Sequence, residues 1–409
     1  MPKFLTLDDV EVKDKVVLVR VDFNSPVDPR TKKVLEDTRI RAHGETTIRE
    51  LEHKGARTVI LAHQGRIGDS DFISLRQHAK ILAKILNKPV KYVEDLYGER
   101  AKTAIRNLRS GEILLLENVR KFPPETKDGT PEEQAKTELI RNLAPLADLF
   151  VNDAFAAAHR AHVSTVGFTG VLPSVAGRIM EKELKSLSKV LENPDKPCIF
   201  VLGGAKADDS LEISKYVLEK KIANRVLTGG VVGQTFLAAM GYDLGKSNME
   251  FLEKEGLMKF LPGIRDLIHS YESSIGTPVD VALDVNGKRV EISVEELPSE
   301  YSIFDIGVKT SDYYSNFIRK AKSIVVSGPM GKYENEKFRY GTKKVLSEIA
   351  HSKAFSVAGG GHTIAALELF GLTDRVSYIS TAGGALIEFL MGKKLPGVAA
   401  LEKAAARRK

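Results

Sequence analysis

A single cysteine, Cys198, and no tryptophan at all stand in a chain of 409 residues. One cysteine excludes a disulfide framework and argues for a reducing compartment, and its place in an apolar run favours a structural role over a catalytic one. Aromatic residues make up only 7% of the chain, and lysine and arginine are scattered. There is therefore no basic stripe interleaved with stacking rings of the kind nucleic acid calls for. The terminal run Ala404 to Lys409 reads as a solvated helix end rather than an RNA-binding tail. No uncharged apolar stretch approaches membrane-span length, and no hydrophobic leader precedes the first strand. The expectation is a cytoplasmic protein with no nucleic-acid and no membrane partner.

Several catalytic signatures are missing as well. G-x-G-x-x-G does not occur, which weakens a dinucleotide oxidoreductase reading. The nine histidines show no H-E-x-x-H spacing, so a dedicated zinc site is disfavoured. No G-x-S-x-G elbow is present. Gly245-Lys246-Ser247 has the ending of a P-loop, but Met240 occupies the position of the required glycine, and a Walker A motif is rejected.

What is present begins with length, which points to two domains, and a formal charge of +7, which suits an anionic partner. The most informative stretch is Cys198 to Ser210. An apolar run of strand length stops at Gly203-Gly204, and Ala205, Lys206 and a helix-compatible segment follow. Such a junction binds anions, because glycine lets backbone amides approach a phosphate, the helix N-terminus attracts it, and lysine adds a charge. One such turn can equally serve helix packing. The second half supplies four more, at Thr228 to Gly233 around Gly230, at Ser327-Gly328-Pro329, at Gly359-Gly360-Gly361-His362-Thr363, and at Ala382-Gly383-Gly384. In a parallel sheet these turns share the carboxyl edge, where ligands bind, and a nucleotide phosphate site becomes the favoured reading.

The first half repeats strand, polar strand end, helix, which predicts a second parallel α/β domain. Arg20, Asp22 and Asn24 follow Val16 at period two and point at a common spot. Arg39 comes next, then His63 and Arg66 after a strand at Thr58 to Ala62, Arg120 after Ile113 to Leu116, and His159 and Arg160 after Ala147 to Val151. Any one arginine could make a surface ion pair, but five at equivalent strand ends suit bidentate binding of a small phosphorylated acid. Helices are expected at Leu75 to Leu86, Pro131 to Leu143 and Val175 to Leu191, the last as the interdomain connection. Second-domain strands are expected near Cys198 to Leu202, Arg225 to Thr228, Val279 to Leu283, Ser323 to Ser327, Phe355 to Ala358 and Val376 to Ser380.

The segments RVDFNSP (Arg20 to Pro26), GARTVILAHQGR (Gly55 to Arg66), LLENVR (Leu115 to Arg120), VNDAFAAAHRAH (Val151 to His162), LGGAK (Leu202 to Lys206), SGPMG (Ser327 to Gly331) and LPGV (Leu395 to Val398) together resemble phosphoglycerate kinases. The resemblance covers essentially the whole chain, in the family's order, and is nearest to the archaeal branch. It implies two similar Rossmann-like domains with parallel sheets flanked by helices, joined by a hinge helix across a cleft. Expected boundaries are 1–172 for a 3-phosphoglycerate-binding domain, 173–192 for the hinge helix, 193–392 for a nucleotide-binding domain, and 393–409 for a segment returning to the first.

By the same resemblance Arg20, Asp22, Asn24, Arg39, His63, Arg66, Arg120, His159 and Arg160 hold 3-phosphoglycerate or 1,3-bisphosphoglycerate, with Arg39 catalytic. Gly203, Gly204, Ala205, Lys206, Gly230, Gly328, Glu334, Gly359, Gly360, Gly361, His362 and Thr363 face ADP or ATP. Arg39, Lys206 and the amides around Gly360 and Gly383 would surround the transferred phosphoryl. The chain departs from the family at Ser210, where a second lysine is usual, at Ser327 for asparagine, at Ala382 for glycine, and at His362 for an aspartate that approaches Mg²⁺. The metal's protein ligand is left open, with Asp209 as a substitute oxygen donor, and Mg²⁺ is expected mainly on the nucleotide phosphates.

Overall fold

A computed structural model describes residues 4–407. The chain divides after Leu184 and again after Lys393, so that the residues from Lys394 onward belong with the first unit and the intervening segment forms the second.

The first unit is built on β1 (Val16–Arg20), β2 (Arg57–Leu61), β3 (Val90–Tyr92), β4 (Ile113–Leu115), β5 (Leu149–Asn152) and β6 (Ser174–Ala176), in the order β3-β4-β2-β1-β5-β6. Every pairing is parallel. β1 shows why the strands read as continuous apolar runs. Val17 and Val19 enter one core and Val16 and Leu18 the other, so both faces of the sheet are covered by helices. β6 corrects the sequence reading, which began a helix at Val175. Three residues pair with β5, Phe150 opposite Ser174, and the helix starts only at Arg178 and runs to Leu191. The helix expected over Pro131 to Leu143 is likewise two, Pro131–Gln134 and Glu138–Leu143.

The C-terminal helix Pro396–Ala406 packs on this unit, with the Gly397 amide donating to the Ala158 carbonyl at 2.8 Å. Ala404 and Ala405 are buried and Arg407 donates to the Gly170 carbonyl at 3.0 Å. This part of the tail is therefore docked rather than solvated, while residues 408 and 409 lie outside the described ones.

The second unit carries β7 (Cys198–Leu202), β8 (Arg225–Thr228), β9 (Ile275–Gly276), β10 (Asp280–Val285), β11 (Lys288–Ser293), β12 (Ile303–Ile306), β13 (Ser323–Ser327), β14 (Phe355–Gly359) and β15 (Tyr378–Ser380). Six of them form a parallel sheet in the order β15-β14-β13-β7-β8-β9. The expected parallel strand at Val279 to Leu283 is not among them. It is β10, the centre of a separate antiparallel sheet β11-β10-β12, and the two-residue β9 takes the edge of the parallel sheet instead. An Asn286-Gly287 turn with both residues at positive φ closes the β10–β11 hairpin. Val281, Leu283 and Ile303 of this sheet share a core with Leu237 and Leu252 from two neighbouring helices.

Candidate active site

In the first unit the predicted residues follow β1, β2, β4 and β5, four strands adjacent in the sheet, and so collect at one stretch of its carboxyl edge. Arg20 closes β1 and is only 2% exposed. Its Nε donates to Ser164 Oγ at 2.8 Å and its Nη2 lies 3.0 Å from His63 Nδ1. Beyond the strand the chain turns so that the Asn24 amide donates to Asp22 Oδ1 at 3.0 Å, and Asn24 Oδ1 accepts the Gly65 amide at 2.8 Å.

Arg39, in the helix Thr38–His43, pairs with the buried Asp22. Burial pushes the Asp22 carboxyl up, but the Arg39 charge, helped by the Asn24 amide, pulls harder, and the net direction is down. His63 is held neutral, well below its ordinary range, by burial and then by Arg20. Arg120, in the turn Val119–Lys121, donates to the Gly65 carbonyl, while Arg66 and Arg160 stand exposed at the same edge. The arrangement offers several guanidinium forks along one edge, with the buried Asp22 carboxylate paired to Arg39, which is what a small polyanion requires.

A partner missed from the sequence is His43. Its Nε2 accepts the Asp22 amide at 3.2 Å and its Nδ1 lies 2.6 Å from Asp153 Oδ2, while Asp153 Oδ1 accepts the Ile179 and Met180 amides. It ends the short helix that carries Arg39, where a lone histidine sends no distinct signal.

In the second unit the glycine turns follow β7, β8, β13, β14 and β15 and therefore share one edge. Two of them interlock. The Gly203 amide donates to the Ser327 carbonyl and the Gly204 amide to the Pro329 carbonyl, both at 2.8 Å, and the Gly230 amide reaches Met330 O at 2.8 Å. A Cβ on Gly203 would lie 2.2 Å from the Pro329 oxygen, so this close approach admits no side chain. Thr363, buried in the first turn of the helix Gly361–Leu369, accepts the Gly328 amide at 2.7 Å and ties in a further turn, the one after β14.

Beside these turns opens a cavity of about 630 Å³. Gly204, Ala205, Gly230, Glu334 and His362 line it, whereas Lys206, Gly359, Gly360, Gly361 and Gly383 stand along the same edge outside its lining. Lys206 is exposed and lies 3.6 Å from Asp209, whose carboxyl is pushed up by burial and by Asp208. His362 Nδ1 lies 3.2 Å from the Tyr333 hydroxyl and 3.6 Å from Glu334.

The cavity's far wall went unforeseen. It is apolar, made by Phe251 from the helix Lys246–Lys254 and by Ile303 and Phe304 of β12, with the Lys332 ammonium 4.3 Å from the Phe304 ring centre. That helix begins at Gly245, in the stretch rejected as a P-loop. The rejection holds, since Gly245 at φ 88° only starts the helix, yet the helix itself bounds the site. An apolar slot continuous with amide-rich turns can take a flat heteroaromatic ring at one end and phosphates at the other.

A family model described as phosphoglycerate kinase matches residues 7–393. The chain is 50% identical over 401 residues to a phosphoglycerate kinase of Methanothermobacter thermautotrophicus, covering 98% of this chain and 97% of the relative. It is 46% identical over 407 residues to that of Methanothermus fervidus, covering 100% and 99%. The crystal structure of phosphoglycerate kinase from Pyrococcus horikoshii superposes with a TM-score of 0.89 at 41% identity, covering 99% of this chain and all of that one.

Proposed function

The chain belongs to the phosphoglycerate kinase family, an enzyme that moves a phosphoryl group between 1,3-bisphosphoglycerate and ADP to give 3-phosphoglycerate and ATP, and from that premise we propose how its residues divide the work. The first unit holds the acid through Arg20, Asp22, Asn24, Arg39, His63, Arg66, Arg120, His159 and Arg160. The second holds the nucleotide on the turns at Gly203-Gly204, Gly230, Gly328 and Gly359 to Thr363, with its base in the slot beside Phe251 and Phe304. The observation that carries this division is the contrast between the two sheet edges, arginines on one and interlocked glycine turns on the other.

Arg39 and Lys206, with the amides near Gly360 and Gly383, meet the charge that spreads over the phosphoryl oxygens as it passes in line, and no covalent enzyme intermediate is required. The carboxylates of Asp208 and Asp209, in the first turn of the helix Ala207–Glu219, are hard oxygen donors of the type Mg²⁺ prefers, and they fit an ion carried chiefly by the nucleotide. When bound, Mg²⁺ supplies charge neutralisation on the phosphates. His362 is not proposed as a ligand, since nitrogen suits that ion poorly. The buried lone cysteine supports placing the enzyme in the cytoplasm.

Transfer needs both substrates in one water-poor space, so the proposal includes hinge-bending closure; scattering that shows no compaction with both substrates bound would contradict it. The direct test of the roles is Arg39→Ala in a coupled assay. Losing one such donor costs about 3 to 4 kcal/mol in the transition state, so kcat should fall by more than about a hundredfold while ADP affinity holds. Equal losses in ADP binding and turnover would remove Arg39 from the catalytic role.

A further inference from the structure

Behind Arg20 lies a buried carboxylate that the reaction does not use. Glu125, in the short turn Pro123–Thr126, is 1% exposed, and both its oxygens are taken by one residue. The Ser164 hydroxyl donates to Oε1 at 2.6 Å and the Ser164 amide to Oε2 at 2.9 Å. The same Ser164 Oγ accepts Arg20 Nε at 2.8 Å. Arg20 also donates from Nη1 to the Val21 carbonyl, and its Nη2 faces His63 Nδ1 at 3.0 Å.

The direction of this chain is fixed by chemistry. A guanidinium has only donors, so Nδ1 of His63 must be the acceptor and carries no proton. His63 is neutral, for the reasons of burial and of Arg20's charge, and its one ring proton therefore sits on Nε2. A phosphate or carboxylate has only acceptors to offer. A His63 in this tautomer can donate to it from Nε2, whereas the other tautomer would present a lone pair.

We propose that Glu125 and Ser164 are positioning residues of the acid site, holding Arg20 in the one orientation that sets the donor tautomer of His63. The inference rests on the assignment of Arg20 and His63 to the acid substrate and goes one layer behind it. Asp22, the other carboxylate near Arg20, is committed to Arg39, so Glu125, in its ionised form, is also a counter-charge to the buried Arg20 guanidinium. Burial pushes the Glu125 carboxyl up to about 7, against the pull of Arg20. Arg20 donates to His63 in either protonation state of Glu125, so the tautomer does not reverse when Glu125 titrates, although loss of the counter-charge loosens the hold on Arg20.

The test uses the full chain with ring-¹⁵N histidine, the His63 signals being assigned by their disappearance in His63→Gln. In the wild type His63 should show a bare Nδ1 and a protonated Nε2 from about pH 6 to 8, the range in which an ordinary histidine would titrate. A protonated Nδ1 in the wild type would overturn the inference without any variant. Ser164→Ala and Glu125→Gln should shift the His63 ring signals and raise KM for 3-phosphoglycerate about tenfold, the scale of one charge-assisted hydrogen bond. They should change kcat less and KM for ATP not at all. A purely structural role would lower the melting temperature without that split.

Should Glu125→Gln fail to fold, Ser164→Ala, which leaves the carboxylate in place, decides. Unchanged acid KM and ring signals in either folded variant would refute the positioning role. His63→Gln separates the two layers: if it leaves KM for 3-phosphoglycerate unchanged, the acid-site assignment itself fails. If it raises KM while folded Ser164→Ala does not, only the positioning inference fails.

Discussion

Alanine at Gly328 should part the two interlocked turns proposed to cradle the nucleotide. Gly328 sits at φ +92°, and a Cβ there would lie 2.1 Å from the Gly203 carbonyl oxygen, 2.3 Å from its carbon and 2.8 Å from the Gly204 nitrogen. All three are backbone atoms, so no rotamer change relieves the overlap. Non-bonded carbon and oxygen need more than 3 Å or so, which means the turns must separate by about 1 Å. The positive φ adds about 1 to 2 kcal/mol for any residue with a Cβ. The hydrogen bond from the Gly328 amide to Thr363 Oγ1 and those from Gly203 and Gly204 to the turn at Ser327 to Pro329 are strained together. With these terms the variant should lose about 3 kcal/mol of stability, or roughly 6 to 12 °C in melting temperature for a unit of this size. Misplacing phosphate-binding amides by about 1 Å should weaken ADP by one to two orders of magnitude or so. Thermal melts and calorimetric ADP titration measure both. Gly361→Ala is the stability control, since its Cβ would meet nothing within 4 Å. Wild-type ADP affinity in Gly328→Ala would refute the reasoning.

Acid stability should depend on His78, which is fully buried, stacked on Phe23 with centroids 6.4 Å apart, and has Nε2 3.1 Å from Gln64 Oε1. Burial above all lowers its pKa to about 4, so between pH 6.5 and that value the unfolded chain binds a proton that the folded chain refuses. Stability is therefore lost as pH falls through that window, by up to about 3 kcal/mol, and His78→Leu should flatten the fall seen in urea melts at successive pH values. Parallel wild-type and variant curves would contradict this. Arg178 draws Asp8, Glu50 and Glu181 to within 2.5, 2.7 and 2.8 Å. Arg178→Met should cost about 1 to 2 kcal/mol, less at high salt because the network is partly exposed, and a salt-independent loss would show that packing, not charge, was removed.

That the candidate residues gather at one edge was legible because parallel sheets place every strand end there. An apolar run followed by Arg-x-Asp-x-Asn or by Gly-Gly-Ala-Lys already states what that edge carries. The misreadings have physical causes. Val279 to Leu283 is apolar apart from Asp280, and a short buried run does not announce its direction. The Asn286-Gly287 pair that closes its hairpin did announce it and was passed over. β6 is three residues long behind Pro173, too short for periodicity to register. Phe251 and Phe304 read as ordinary helix and strand apolar residues, since only the fold brings them opposite the glycine turns. Glu125 follows two prolines in a segment without period, and nothing local marks it as the anchor of Arg20, 105 positions back in the chain and linked through Ser164.

The account depends on each unit binding one substrate by itself. Calorimetric titration of 3-phosphoglycerate and of ADP into Arg120→Met and Gly328→Ala tests this with one instrument. Arg120→Met should lose acid affinity by about tenfold or more and keep that for ADP, and Gly328→Ala should do the reverse. A variant that weakens both ligands alike, or each weakening the other's ligand, would contradict the division of labour between the two sheet edges.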